Sequence, residues 1–232
     1  MKKSNSGLPA FLTWVIHSAM WIGFIFIYLV DTTILSLATS QAKTQPLRVN
    51  HTIGILLIYS ALLLAFISWR YQKQLQRDNP KHIGRTPFTG GRFLQLLALF
   101  VLMYGIQMVW GILISQHVLS TPANQTAINQ QVMLLPFWNQ AYSIVFAPVI
   151  EELIFRGIFL NYFFRSNQRW VNFLGVFVSG LFFGMLHVMS FSPTLIMYSA
   201  LGWVLGGAYL HFRDIRYNIA LHFMNNALSL LL

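Results

Sequence analysis

The chain has 232 residues, 56% of them hydrophobic and 9% charged, with a formal net charge of +10. Apolar runs of about twenty residues in such a composition exclude a soluble globular domain and predict a polytopic membrane protein. The absence of cysteine excludes disulfides, thiolate nucleophiles and cysteine-bound metal, and basic residues scattered over short loops without an aromatic-basic module exclude nucleic acid as a partner.

Spans are predicted near residues 11–30, 52–69, 93–115, 136–163, 170–188, 194–212 and 217–232. The expected fold is an all-α, polytopic transmembrane helical bundle of about seven spans with a cytoplasmic N-terminus. The first run is not followed by a small-residue cleavage site and is read as a retained span. In this orientation the inner loops hold Lys2, Lys3, Arg70, Lys73, Arg77, Lys81, Arg85, Arg92, Arg165, Arg169, Arg213 and Arg216, and the outer loops only Lys43 and Arg48. Twelve basic residues against two is the bias of the positive-inside rule, and the remaining one, Arg156, is intramembrane. Arg70 to Arg92 is expected to be a polar cytoplasmic loop, and Gln116 to Leu135 an uncharged outer segment. No linker, low-complexity tract or repeat divides the sequence. It is read as a single integral membrane domain over 1–232, with a motif-bearing core at about 136–232.

The first three spans are bland, with His17 and Asp31 as isolated groups expected at interfaces. The fourth holds Pro148, Glu151, Glu152, Arg156 and Gly157, and its two glutamates are the only ones in the chain. Each charged side chain at a bilayer centre costs roughly 2.5 to 3.5 kcal/mol, so three within six residues need strong compensation. Pro148 removes a backbone hydrogen bond to the Ile144 carbonyl and predicts a kink. Glu152 and Arg156, four apart, share a helix face and can pair, whereas Glu151 points about 100° away. Glu152 is therefore expected to be held ionised, and Glu151, less well paired, to be the better general base.

The fifth span brings Gly180, Phe183, Gly184 and His187 onto one face, and the sixth carries Gly202 and Gly206 at a spacing that permits close helix approach. In the last, His222 and Asn226 are four apart and present an imidazole and an amide. They can link helices or stabilise the oxyanion of an attacked carbonyl. A base, two histidines, an amide and a buried ion pair on three membrane helices look like an intramembrane hydrolase. Uniform helices would put Glu151 and His187 roughly 20 Å or more from the inner ends of their spans but His222 only about 8 Å from its own, so broken or tilted helices are expected.

The residues resemble the CAAX prenyl protease and bacteriocin-processing group, the CPBP or Abi intramembrane proteases. Its E-E-x-x-x-R motif corresponds to Glu151, Glu152 and Arg156, its F-x-x-x-H motif to Phe183 and His187, and its H-x-x-x-N motif to His222 and Asn226. The resemblance implies an endopeptidase in which Glu151, assisted by His187, activates water, and His222 with Asn226 stabilises the oxyanion. Glu152, Arg156 and Phe183 would be supporting residues. It also leaves open a zinc enzyme with Glu151, His187 and His222 as ligands and water in the fourth position. The H-E-x-x-H arrangement of soluble zinc proteases is missing, and the expected cofactor is none.

The implied partners are the lipid bilayer and a peptide or membrane-protein substrate. The compact, cysteine-free chain suggests a multi-pass protein of a bacterial cell membrane, and for such a protein the resemblance implies roles in peptide pheromone or bacteriocin maturation or in self-immunity. A competing reading is a non-catalytic membrane partner or immunity protein that modulates a sensor kinase. A proton-coupled transporter is a weaker one, because no pair of interrupted helices recurs in the two halves.

Overall fold

The computed structural model describes residues 9–121 and 123–228, and among them there is no strand. In hydrocarbon a backbone must satisfy its own polar groups, and the apolar runs accordingly form helices. α1 (Ala10–Thr44) and α2 (Pro46–Arg77) form a hairpin joined through Gln45 alone. α3 (Gly90–Ser115) begins at Thr89, whose side chain accepts from the Arg92 N–H. α4 (Ala123–Leu134) precedes a composite helical run over 136–163, here α5. α6 (Arg169–His187), α7 (Pro193–Phe212) and α8 (Ile215–Leu228) complete the described chain.

Among the described residues five helices, α1, α2, α3, α6 and α7, are long and apolar enough to cross a membrane. The predicted fourth span is present as α5 but broken, and the last is described only as far as Leu228. Lys2, Lys3 and residues 229–232 of the last predicted span lie outside the described residues.

Two predicted loops are shorter than expected. α2 continues through Tyr71–Arg77, leaving a connection over 78–89, and α4 occupies much of the uncharged segment before Leu135. Hydropathy locates the apolar part of a helix. Gln, Lys, Leu and Arg are good helix formers that carry it on until Pro80 approaches.

Asp31 also departs from expectation. Because α1 runs to Thr44, this residue is mid-helix and fully buried, accepting from Ser60 Oγ of α2 and Tyr142 OH of α5 at 2.7 Å each. His17 is half-buried and stacks on Tyr162 with ring centroids 4.1 Å apart.

The glycines of α6 and α7 set the closest helix crossing. A Cβ on Gly202 would stand 2.8 Å from Gly180 Cα, and one on Gly184 would stand 2.4 Å from Ser199 Oγ. Backbone cannot yield as a flexible side chain can, so overpacking here costs about 1 to 3 kcal/mol. Gly202→Val is expected to lower the amount of protein in membranes several-fold, a response typical of about 1 to 2 kcal/mol. Gly207→Val, with nothing within 4 Å of its Cβ, should not. Quantitative immunoblotting of the two variants checks this.

At the C-terminal end of α7 the chain turns through Arg213 in the left-handed region, φ 53°. Asp214 then clamps the 78–89 connection to α8 by accepting from the Thr86 N–H at 2.8 Å and from Arg216 Nη2 at 2.6 Å. Tyr217 OH donates to Pro87 O at 2.7 Å. Burial alone would raise the Asp214 carboxyl, but bonds from the Arg216 side chain and the Thr86 and Arg216 N–H groups hold it below the ordinary carboxylate range. A lowered value means the stabilisation is complete above the unfolded pKa, about 3.9, and fades as pH falls through the folded one. Melting curves in detergent should show a loss of stability below about pH 4 that is smaller in Asp214→Asn.

Candidate active site

α5 presents the paired glutamates from a short α-helical segment between two π turns. The missing N–H of Pro148 falls just after the first π turn, Tyr142–Phe146, which contains the Ile144 carbonyl. Ala147–Glu152 is α-helical, and Leu153–Ile158 is the second π turn, with Arg156 inside it. The break expected from the sequence is therefore double, and it frames Glu151 and Glu152. Asn161 Nδ2 satisfies the Gly157 carbonyl at 2.7 Å on the far side of the second turn.

Glu152 is wholly buried and saturated with donors. Arg156 Nη1 lies 3.0 Å and His222 Nδ1 2.8 Å from its Oε1, and Asn218 Nδ2 donates to Oε2. Arg156 is equally buried; its Nη2 donates to the Gly202 carbonyl at 2.9 Å, and its guanidinium sits 4.6 Å from the centroid of the Phe183 ring. The Phe183 motif position thus supports Arg156 through a cation–π contact. The ion pair predicted from the i, i+4 spacing is present, and α6, α7 and α8 all contribute to its solvation.

Glu151 has a different environment. Its Oε1 accepts from Tyr28 OH of α1 at 2.5 Å, and its Oε2 lies 3.7 Å from His222 Nε2. With Nδ1 facing the Glu152 carboxylate, the imidazole of His222 donates there and stands between the two glutamates. His187, the last residue of α6, directs Nδ1 to the Phe183 carbonyl at 2.9 Å. A carbonyl can only accept, so Nδ1 carries the proton and Nε2 keeps its lone pair in the neutral ring. Stacking on Tyr198 of α7, with centroids 4.8 Å apart, fixes the ring.

A cavity of ≈ 810 Å³ is lined by Glu151, His187, Asn226, Tyr28 and Tyr198, among others. It joins three of the four residues expected to be catalytic, on α5, α6 and α8. The fourth, His222, is drawn into the Glu152 cluster behind the cavity wall, and the Asn226 amide donates to the Ser143 carbonyl at 2.8 Å. Reading the sequence also missed Tyr28 and Asn218. Asn218 was within reach, since it precedes His222 by one helical repeat on the stripe Asn218, His222, Asn226. Tyr28 carries no local signal: it is one tyrosine on an apolar helix.

Among the described residues no three His, Cys, Asp or Glu side chains converge as metal ligands, so Glu151, His187 and His222 are not drawn together as a zinc set in this structure.

A helical membrane bundle with a cavity of ≈ 810 Å³ lined by a carboxylate, an imidazole and an amide carries the groups that a hydrolase-type intramembrane site needs. The family model of the type II CAAX prenyl endopeptidase Rce1-like proteins matches residues 133–228, which carry all three motifs. No curated protein and no solved structure matches the chain.

Proposed function

We propose that the protein is an intramembrane endopeptidase that hydrolyses a membrane-associated peptide or protein with water activated by Glu151 and His187. The observation that carries this reading is the common cavity: side chains from separate helices, Glu151 and His187, line one space together with Asn226. In the proposed route Glu151 takes a proton from water, and the water oxygen attacks the scissile carbonyl. The tetrahedral oxyanion is stabilised by the Asn226 amide. The proton is delivered to the leaving nitrogen as the C–N bond breaks, with His187 Nε2 as the second proton carrier. His222 is better placed to hold the two carboxylates apart than to receive the oxyanion, because its Nδ1–H donates to Glu152, Nε2 is left without a proton to donate, and, unlike Asn226, it is not among the residues lining the cavity. Peptide pheromone or bacteriocin processing and self-immunity are the biological settings proposed.

Hydrolysis in heavy-oxygen water tests the route. Reconstituted protein incubated with membrane peptides should release fragments that carry one heavy oxygen at the new C-terminus. A protein that only binds a partner releases none. Because the cavity donors do not converge on a cation, cleavage is expected to persist after strong chelation. Complete loss restored by zinc would overturn the metal-free route.

A further inference from the structure

Among the described residues, every hydrogen bond or ion pair to Glu151 and Glu152 comes from the segment 133–228, with one exception. Tyr28 lies on α1, far outside that segment, and its hydroxyl donates to Glu151 Oε1 at 2.5 Å. Both side chains are buried, and both line the cavity. A buried tyrosine hydroxyl needs an acceptor, and a backbone carbonyl suffices, as Ile27 O does for Tyr59 at 2.9 Å. Tyr28 instead directs its proton to the carboxylate that faces the cavity.

The placement is held on both sides. Toward the start of α1, Trp21 Nε1 donates to the Ile154 carbonyl of α5 at 3.3 Å. Three residues beyond Tyr28, Asp31 accepts from Ser60 and from Tyr142, which ties α1 to α2 and to the first π turn of α5. These two attachments bracket the Tyr28–Glu151 bond. They also account for Asp31, a buried acid that the proposed mechanism does not use.

Glu151 needs such a constraint more than its neighbour does. Glu152 is fixed by three donors, whereas Tyr28 is the only group at hydrogen-bond distance from the Glu151 carboxylate among the described residues. We propose that Tyr28 is a positioning residue: it holds Oε1 of Glu151 and thereby presents Oε2, 3.7 Å from His222 Nε2, to the attacking water. This rests on the proteolytic reading above and adds to it that α1, outside the matched segment, completes the site.

The test uses full-length protein in detergent or liposomes and a synthetic peptide that wild type cleaves and Glu151→Gln does not. Tyr28→Phe retains the ring and removes the donor. Its kcat is expected to fall about ten- to a hundredfold with KM within about twofold, as for a misplaced reacting group. Tyr59→Phe loses a part-buried tyrosine bond from the adjoining helix to a carbonyl of α1 and should leave both constants unchanged. Wild-type kcat in Tyr28→Phe, a rise in KM alone, or an equal kcat loss in Tyr59→Phe would overturn the assignment. If Tyr28→Phe does not accumulate, Asp31→Asn keeps the hydroxyl and weakens its support. A smaller kcat loss is then expected, and an unchanged kcat would count against the proposal. If no peptide separates wild type from Glu151→Gln, the proteolytic reading fails and the Tyr28 role with it. If one does and Tyr28→Phe turns over normally, only the Tyr28 role fails.

Discussion

Glu151→Gln is expected to lower peptide cleavage on the order of a thousandfold while leaving the protein's level in membranes near that of wild type. General base catalysis contributes about 10² to 10⁴ in rate, and an amide at this position cannot take a proton from water. The fold should tolerate the change, because a neutral amide is cheaper to bury than a carboxylate and its oxygen still accepts from Tyr28 OH. His187→Ala should behave alike in rate, since it removes the other proton-carrying group on the cavity wall. The check is turnover per molecule of purified, reconstituted protein beside its abundance in membranes. Substantial turnover in Glu151→Gln would remove this residue as the base.

Arg156→Ala should fail in another way. The guanidinium is fully buried and joins Glu152 to the Gly202 carbonyl while packing on Phe183. Its removal strands a buried carboxylate and leaves a carbonyl without its donor, and breaking a buried pair from one side costs about 3 to 5 kcal/mol. That is a large part of a typical domain's stability of about 5 to 15 kcal/mol. Folded protein should fall sharply, and activity should fall with it rather than independently. Arg156→Lys keeps the charge but not the fork that reaches two acceptors, so it should rescue the level only in part. Normal abundance and normal rate in Arg156→Ala would show that the ion pair does not hold these helices together.

The contrast between the two glutamates was legible from spacing alone. A helix puts residues four apart on one face, so the Glu152–Arg156 pair and the separate fate of Glu151 followed from their positions. Glycine spacing likewise announced the close crossing of α6 on α7, and Pro148 the break in α5. Contacts across long sequence distance were not legible. Tyr28 and Asp31 belong to the site region because α1 lies along α5, and no local pattern records that register. The His222–Asn226 spacing correctly placed both residues on one face of α8. It could not reveal that Glu152 accepts a hydrogen bond from His222 while the Ser143 carbonyl accepts one from the Asn226 amide.

Proteolysis in the shared cavity is the activity on which these expected outcomes rest. Its most direct test compares the peptides in membranes and medium of cells expressing wild type or Glu151→Gln at equal levels, read by mass spectrometry. At least one fragment, with a defined new terminus, is expected only with the wild-type protein. Identical peptide profiles, together with a cellular phenotype that Glu151→Gln still complements, would contradict it.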